Sequence, residues 1–242
     1  QMCIRDRIDR DDHARCSACL IRFECIDLLL SRIFAPDEVD EIISVLQRIK
    51  RILGEEPVEH VANVCLLHSR NGRRDSEIPE NLNEALEQGK ISRKEAIWAT
   101  IVIVADALDA DIRRVERNTQ NEPINDAFLE RARNELPPGK YEETLGHIIG
   151  HKCIKQIRLG REGDRLRIEF VVDDTFIYKD PSNEERLFFK IKDIIEDIDA
   201  TLLACKYKIV IVSRDRAIRR RLVNRIRLKW PDKEVEASES VE

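Results

Sequence analysis

An α/β fold, α+β when the whole chain is counted, is what this 242-residue sequence predicts. Three observations carry that expectation. Apolar residues recur at the 3.6-residue period from Val39 to Leu53, and apolar helical stretches continue as far as Leu108. Pro137-Pro138-Gly139 then breaks the pattern. Beyond it, two strand-like segments flank a Gly-Asp turn, and the short apolar run Ile209 to Val212 lies between two helical stretches. The predicted organisation is an all-helical bundle over residues 8–136 and a small α/β domain over 140–237. That domain contains a β-hairpin and a parallel β-α-β unit, and an acidic tail occupies 238–242.

Composition narrows the class. Charged residues make up 37% of the chain and aromatics only 5%, with eight Gly and eight Pro, which disfavours an all-β sandwich. The net charge of −5 leaves any nucleic-acid contact to a local basic patch. No stretch reaches the roughly 18 uninterrupted apolar residues of a membrane span. Seven cysteines without a secretory signal predict a reducing cytoplasm and mostly free thiols. The opening Gln1 to Arg7, QMCIRDR, reads as translated sequencing-adapter sequence and is set aside, Cys3 with it.

Taken in order, residues 13–34 read as a helix crowded with Cys16, Cys19, Leu20, Phe23, Ile26 and Leu30. Pro36-Asp37-Glu38 opens the next, with proline in the first turn and acids at the positive end of the dipole, and Gly54 ends it. Pro57 to His68 is a third helix, and residues 69–80 read as an exposed loop. Ser92 and Glu95 form a capping box that opens a helix to about Arg117. This helix is apolar nearly all round from Ala96 to Leu108, which predicts a central place in the bundle. Further helices are expected at 126–136 and 141–150. Residues 152–159 and 165–172 make the hairpin. Ser182 and Glu185 form a second capping box for a helix to about Cys205, Arg216 to Trp230 is a basic helix, and Val235 lies in a last strand.

The chemistry-bearing residues cluster in the second half. Asp173 and Asp174 leave one strand, Asp199 precedes an apolar helical segment, and Asp215 leaves the next strand. Acids at neighbouring strand ends can share a divalent cation, Mg²⁺ or Mn²⁺, which would activate water against a phosphodiester. The segments VVDDTFIYKDPSNEE and DATLLACKYKIVIVSRDRAIRRRL resemble parts of PIN-domain ribonucleases. That resemblance implies a metal site made by Asp173 (or Asp174), Asp199, Asp215 and Ser213, acting on RNA. KIVIVSRDRAIRRRLVNRIRLKWPDKEVE also resembles the opening of a response-regulator receiver domain, which implies a non-enzymatic regulatory or scaffold role. The alternative to both is that these acids simply end strands and cap helices.

The helix after Asp215 is dense in arginine: Arg214, Arg216, Arg219, Arg220 and Arg221 are the candidate nucleic-acid contacts, with Arg225, Arg227 and Lys229 beyond them. The competing reading pairs them with acids of the 182–199 helix. His13, Cys16, Cys19 and Cys25 have metal-like spacing that could hold zinc through thiolate and imidazole ligands, and ARCSACLIRFECIDLLLS resembles the cluster-binding segment of WhiB-like regulators, which implies an iron–sulfur cluster. Burial of the thiols in an apolar helix is the simpler account. Glu143, His147 and His151 share one helix face at i, i+4, i+8. A protein partner, or self-association, is expected for the helical bundle.

Overall fold

The computed structural model describes residues 36–110, 148–204 and 206–239, with positions 18, 130, 134 and 146. The expected helices at 13–34 and 126–136, the Pro137-Pro138-Gly139 break and most of 141–150 lie outside these residues. So does the end of the tail.

The chain is α/β, with five helices followed by a four-stranded mixed sheet and its helices among the described residues. It divides into two compact units. One comprises Gln1–Val104 with Ala200–Leu202, the other Ala105–Asp199 with Leu203–Glu242. No helix of the described residues is long and apolar enough to cross a membrane.

In the first unit, α1 (Pro36–Leu53) begins at the proline, as the sequence predicts, and stops at Gly54. Helix α2 (Glu55–Leu67) starts two residues before Pro57, which is tolerated because first-turn N–H groups have no intrahelical partner. The expected loop at 69–80 instead contains α3 (Arg70–Asp75). Ser69 caps it, its Oγ accepting from the Gly72 N–H at 2.9 Å. A Cβ at Gly72 would stand against the Leu66 carbonyl oxygen, so glycine permits the close approach of α2 and α3. Arg73, almost wholly buried, donates to the Leu67 carbonyl. Helix α4 (Leu82–Glu87) is capped by the Asn81 side chain.

Helix α5 (Arg93–Leu108) opens on the expected capping box. Ser92 N–H and Oγ donate to Glu95 Oε2 at 2.8 and 2.7 Å, and Glu95 N–H donates to Ser92 Oγ at 3.2 Å. Asn63 of α2 adds a bond to Oε1 at 2.6 Å, and His60 Nδ1 stands 3.5 Å from the same oxygen. The helix is not central on every side. Leu67, Leu82, Ala85, Ile91, Ala96, Ala99 and Ile103 form the core, whereas Ile97, Trp98, Ile101 and Val102 are exposed. Alanines on the inward face let the helix pack closely beside Ile103, and four larger apolar side chains remain on the exposed side.

In the second unit, β1 (Ile154–Glu162) and β2 (Arg165–Val172) form the predicted antiparallel hairpin. Gly163 has φ 64°, the positive value that the first central residue of a tight II′ hairpin turn requires. Helices α6 (Asp174–Lys179) and α7 (Ser182–Asp199) follow, then β3 (Tyr207–Ser213), α8 (Arg216–Lys229) and β4 (Val235–Glu239). The strand order is β1-β2-β3-β4, with β3 parallel to both neighbours. The helical tract after residue 181 ends at Asp199, short of Cys205. Ser182 and Glu185 do not form the second capping box. Ser182 N–H instead donates to Asp180 Oδ1 at 2.9 Å, and Glu185 pairs with Arg225.

All seven residues of β3 are buried. Leu187, Ile191, Ile194, Ile195 and Ile198 of α7, with Ile218, Leu222, Val223 and Ile226 of α8, supply buried apolar faces. Val171, Val210 and Val212 cluster separately, and by strand alternation the two β3 residues share a face with Lys208. The Lys208 ammonium is held by Glu236 at 2.8 Å, Glu162 at 3.2 Å and Glu234 at 3.5 Å. Its hydrogen bond to Glu236, ahead of its other partners, raises it above the usual lysine range.

Burial alone would raise the Glu95 carboxyl, but bonds from Ser92, Asn63 and His60 outweigh it and lower the group to about 2. The unfolded chain therefore takes up this proton at higher pH than the folded one. The stabilisation is complete above roughly pH 4.5 and is lost as pH falls toward 2. Glu95→Gln is expected to lower urea stability at pH 7 and to narrow its deficit through that window. A gap between the two proteins that stays constant from pH 7 to pH 3 would contradict this.

Candidate functional site

The carboxyl ends of β2 and β3 bring four of the sequence-predicted residues together. Asp173 is the N-cap of α6, one carboxylate oxygen accepting from Phe176 N–H at 3.1 Å. Asp174 reaches across to the next strand. Its Oδ1 accepts from Ser213 Oγ at 2.5 Å and its Oδ2 from Arg214 N–H at 2.8 Å. A hydroxyl has one proton to give; that of Ser213 goes to Asp174, and the same oxygen accepts from Asp215 N–H at 3.0 Å. Asp215 caps α8, accepting from Ala217 and Ile218 N–H at 2.5 and 3.0 Å.

The fourth acid is elsewhere. Asp199, the last residue of α7, accepts from the Tyr207 hydroxyl at 2.7 Å and from the Lys233 ammonium. Tyr207 opens β3 and Ser213 closes it. Six residue steps of about 3.3 Å put roughly 20 Å between the two ends. A single or paired metal needs its ligands within a few ångströms. The set Asp173, Asp199 and Asp215 therefore does not fit one Mg²⁺ or Mn²⁺, and this corrects the metal site expected from the sequence. No group of three or more His, Cys, Asp or Glu among the described residues is placed to hold a metal.

The basic helix divides by face. Arg221 makes a two-pronged pair with Glu184 at 2.7–3.1 Å, and Arg225 pairs with Glu185 at 2.9 Å while its guanidinium lies 4.0 Å from the Phe188 ring. Lys229 pairs with Glu196 at 3.3 Å. These partners all belong to α7, so Arg221 is a structural ion pair and not a free contact. On the other side, Arg216, Arg219, Arg220 and Arg227 line a cleft of about 560 Å³ against β4, with Asn224, Ala237 and Glu239. Arg219 and Arg227 each also bond a backbone carbonyl, of Ser213 and Val235. Among the described residues, no ion-pair partner stands beside Arg216 or Arg220, and both are exposed. Arg214 is exposed at the strand exit, its N–H committed to Asp174.

Two features of the edge were not anticipated. One is the Asp174–Ser213 bridge, which joins residues 39 apart and leaves no local mark in the sequence. The other is the contribution of Arg227, for which the helical spacing 216, 220, 227 was the available signal. Cys153 lies beneath: its carbonyl accepts from Asp173 N–H at 2.9 Å, and its thiol is pushed up to about 12 by burial and then by the Asp173 charge. His151 is buried. Its expected companions Glu143 and His147 lie outside the described residues, as do His13, Cys16, Cys19 and Cys25. No family model, curated protein or solved structure matches the chain.

Two substitutions separate capping from bridging. Asp215→Ala is expected to cost about 1 kcal/mol, the value of a helix N-cap. Asp174→Ala removes the acceptor for both Ser213 and Arg214 and is expected to cost about 2–3 kcal/mol, since Ser213 is buried. Urea titration of both variants checks the order; equal costs would contradict the bridge. At pH 8 the native Cys153 thiol is expected to resist iodoacetamide, read by peptide mass mapping, and to react once the protein is unfolded.

Proposed function

We propose that the α/β unit is a non-enzymatic module that holds the phosphate backbone of RNA in the cleft between α8 and β4. One observation carries the reading: four arginines converge on that cleft, whereas the cations on the opposite side of α8 are already neutralised by α7. Counterion release would then drive binding, and the backbone, not the bases, would be recognised. Glu239 at the rim subtracts one charge and would orient the strand away from it. The committed state of Asp173, Asp174 and Asp215 as caps and bridge supports binding over hydrolysis, as does the place of Asp199 at the far end of β3. The helical unit serves as the module for protein contact.

The test is fluorescence anisotropy with a labelled single-stranded RNA between 50 and 200 mM KCl. Three or four phosphate contacts give a slope of log K against log salt of about −2 to −3. Arg216→Glu with Arg220→Glu is expected to weaken binding at least about tenfold and to flatten the slope, because two of the contacts are reversed in charge. Arg221→Ala is expected to bind as the parent does. Equal affinity of the parent and the double variant would overturn the reading. So would RNA cleavage in Mg²⁺ or Mn²⁺ that Asp215→Asn abolishes; asparagine keeps the cap, so such a loss would be chemical.

A further inference from the structure

An α-helix turns through about 100° per residue, which places the side chains of α8 around its axis. Measured from Arg216, the cleft residues Arg219, Arg220, Val223 and Arg227 all fall within about 60° of one direction. Arg221, Arg225 and Lys229, which pair with α7, fall on the opposite side. Trp230 comes next on the cleft side, about 40° from Arg216 and about one turn beyond Arg227. It caps the helix, and its N–H still bonds the Ile226 carbonyl at 2.9 Å, so its α-carbon keeps the helical course. Its side chain is part-exposed.

The available cations end where this ring begins. Arg227 is the last arginine of α8, and the two lysines that follow are held by acids, Lys229 by Glu196 at 3.3 Å and Lys233 by Asp199. The Lys229 ammonium, so anchored, stands 5.1 Å from the centre of the Trp230 ring. Asp232, exposed just beyond, repels a phosphate but not an uncharged base. A row of arginines that closes on an aromatic ring suits a single strand: the charges follow its backbone and the ring takes a base face to face. Every base has such a face, so the ring adds affinity without reading sequence. In a duplex the bases are paired and stacked on one another, out of the ring's reach.

We propose that Trp230 is a stacking platform for one unpaired base of the strand held in the α8–β4 cleft, which makes the ligand of that cleft single-stranded RNA. This rests on the reading of the cleft as a backbone site and adds to it a contact of a different kind.

The test compares two labelled oligomers by fluorescence anisotropy: a short single-stranded RNA, and one of equal length whose nucleotides are replaced by abasic tetrahydrofuran residues. Both carry the phosphates; only the first carries faces to stack. The parent is the full chain with Trp98→Phe, which leaves Trp230 as its one tryptophan. It is expected to bind the base-bearing strand about five- to 150-fold more tightly, the range of one aromatic–base stack. The salt slope is expected to be the same for both, and only the base-bearing strand to quench Trp230 emission. Trp230→Ala, checked by circular dichroism, is expected to bind the two oligomers alike, and Trp230→Phe to keep a preference. Equal binding of the two oligomers by the parent overturns the proposal and needs no further variant. So does a preference that survives undiminished in Trp230→Ala. The cleft reading fails separately, when Arg216→Glu with Arg220→Glu binds the abasic oligomer as the parent does. If neither oligomer binds the parent, both readings fall.

Discussion

The α/β unit depends on one constraint: β3 is buried from end to end, between two parallel neighbours. A strand so enclosed has no room along its length for unsatisfied polar groups, so its polar chemistry is confined to its two exits and to one exceptional lysine. At the entry, Asp199 ties Tyr207 and Lys233 together. At the exit, Asp174 takes the Ser213 hydroxyl and the Arg214 amide, and Asp215 starts the next helix. Lys208 is the exception, and carboxylates from β1, from β4 and from the turn before β4 surround it. The acids therefore act first as structural acceptors.

The same economy governs α8. A helix with so many cations next to a sheet would repel itself unless some were compensated. Helix α7 supplies Glu184, Glu185 and Glu196 along one side, in register with Arg221, Arg225 and Lys229. Compensation stops at that side. The remaining arginines face the β4 cleft, where Glu239 is the one acid among the lining residues. A charged surface half neutralised by its neighbour and half left to solvent is an asymmetric surface, and asymmetry of this kind gives a ligand a direction to approach from.

Much of the architecture was legible. The hairpin followed from alternation about Gly163, β3 from its unbroken apolar run, and α1 from Pro36 and the 3.6 period. The Ser92–Glu95 box was legible because both partners lie in one turn. The Ser182–Glu185 box obeyed the same local rule and failed, because Asp180 reached the Ser182 N–H and Arg225 drew Glu185 away. Local patterns hold until a partner distant in sequence offers a stronger contact. The loop expected at 69–80 failed for a related reason: Ser69 and the missing side chain of Gly72 allow a short helix against α2.

By itself, the sequence determined the hairpin, the buried β3 and the helices that start at Pro36, after Ser92 and after Asp215, together with the number of arginines that follow Asp215. Periodicity and capping are properties of neighbours in the chain, so these needed nothing more. Only the tertiary structure decided which acids meet. Asp173, Asp174 and Asp215 share an edge because β2 and β3 run parallel, and Asp199 is excluded from it because a seven-residue strand lies between. Tertiary structure also decided which arginines are spent, since helical spacing shows the faces of α8 but not that α7 lies against one of them.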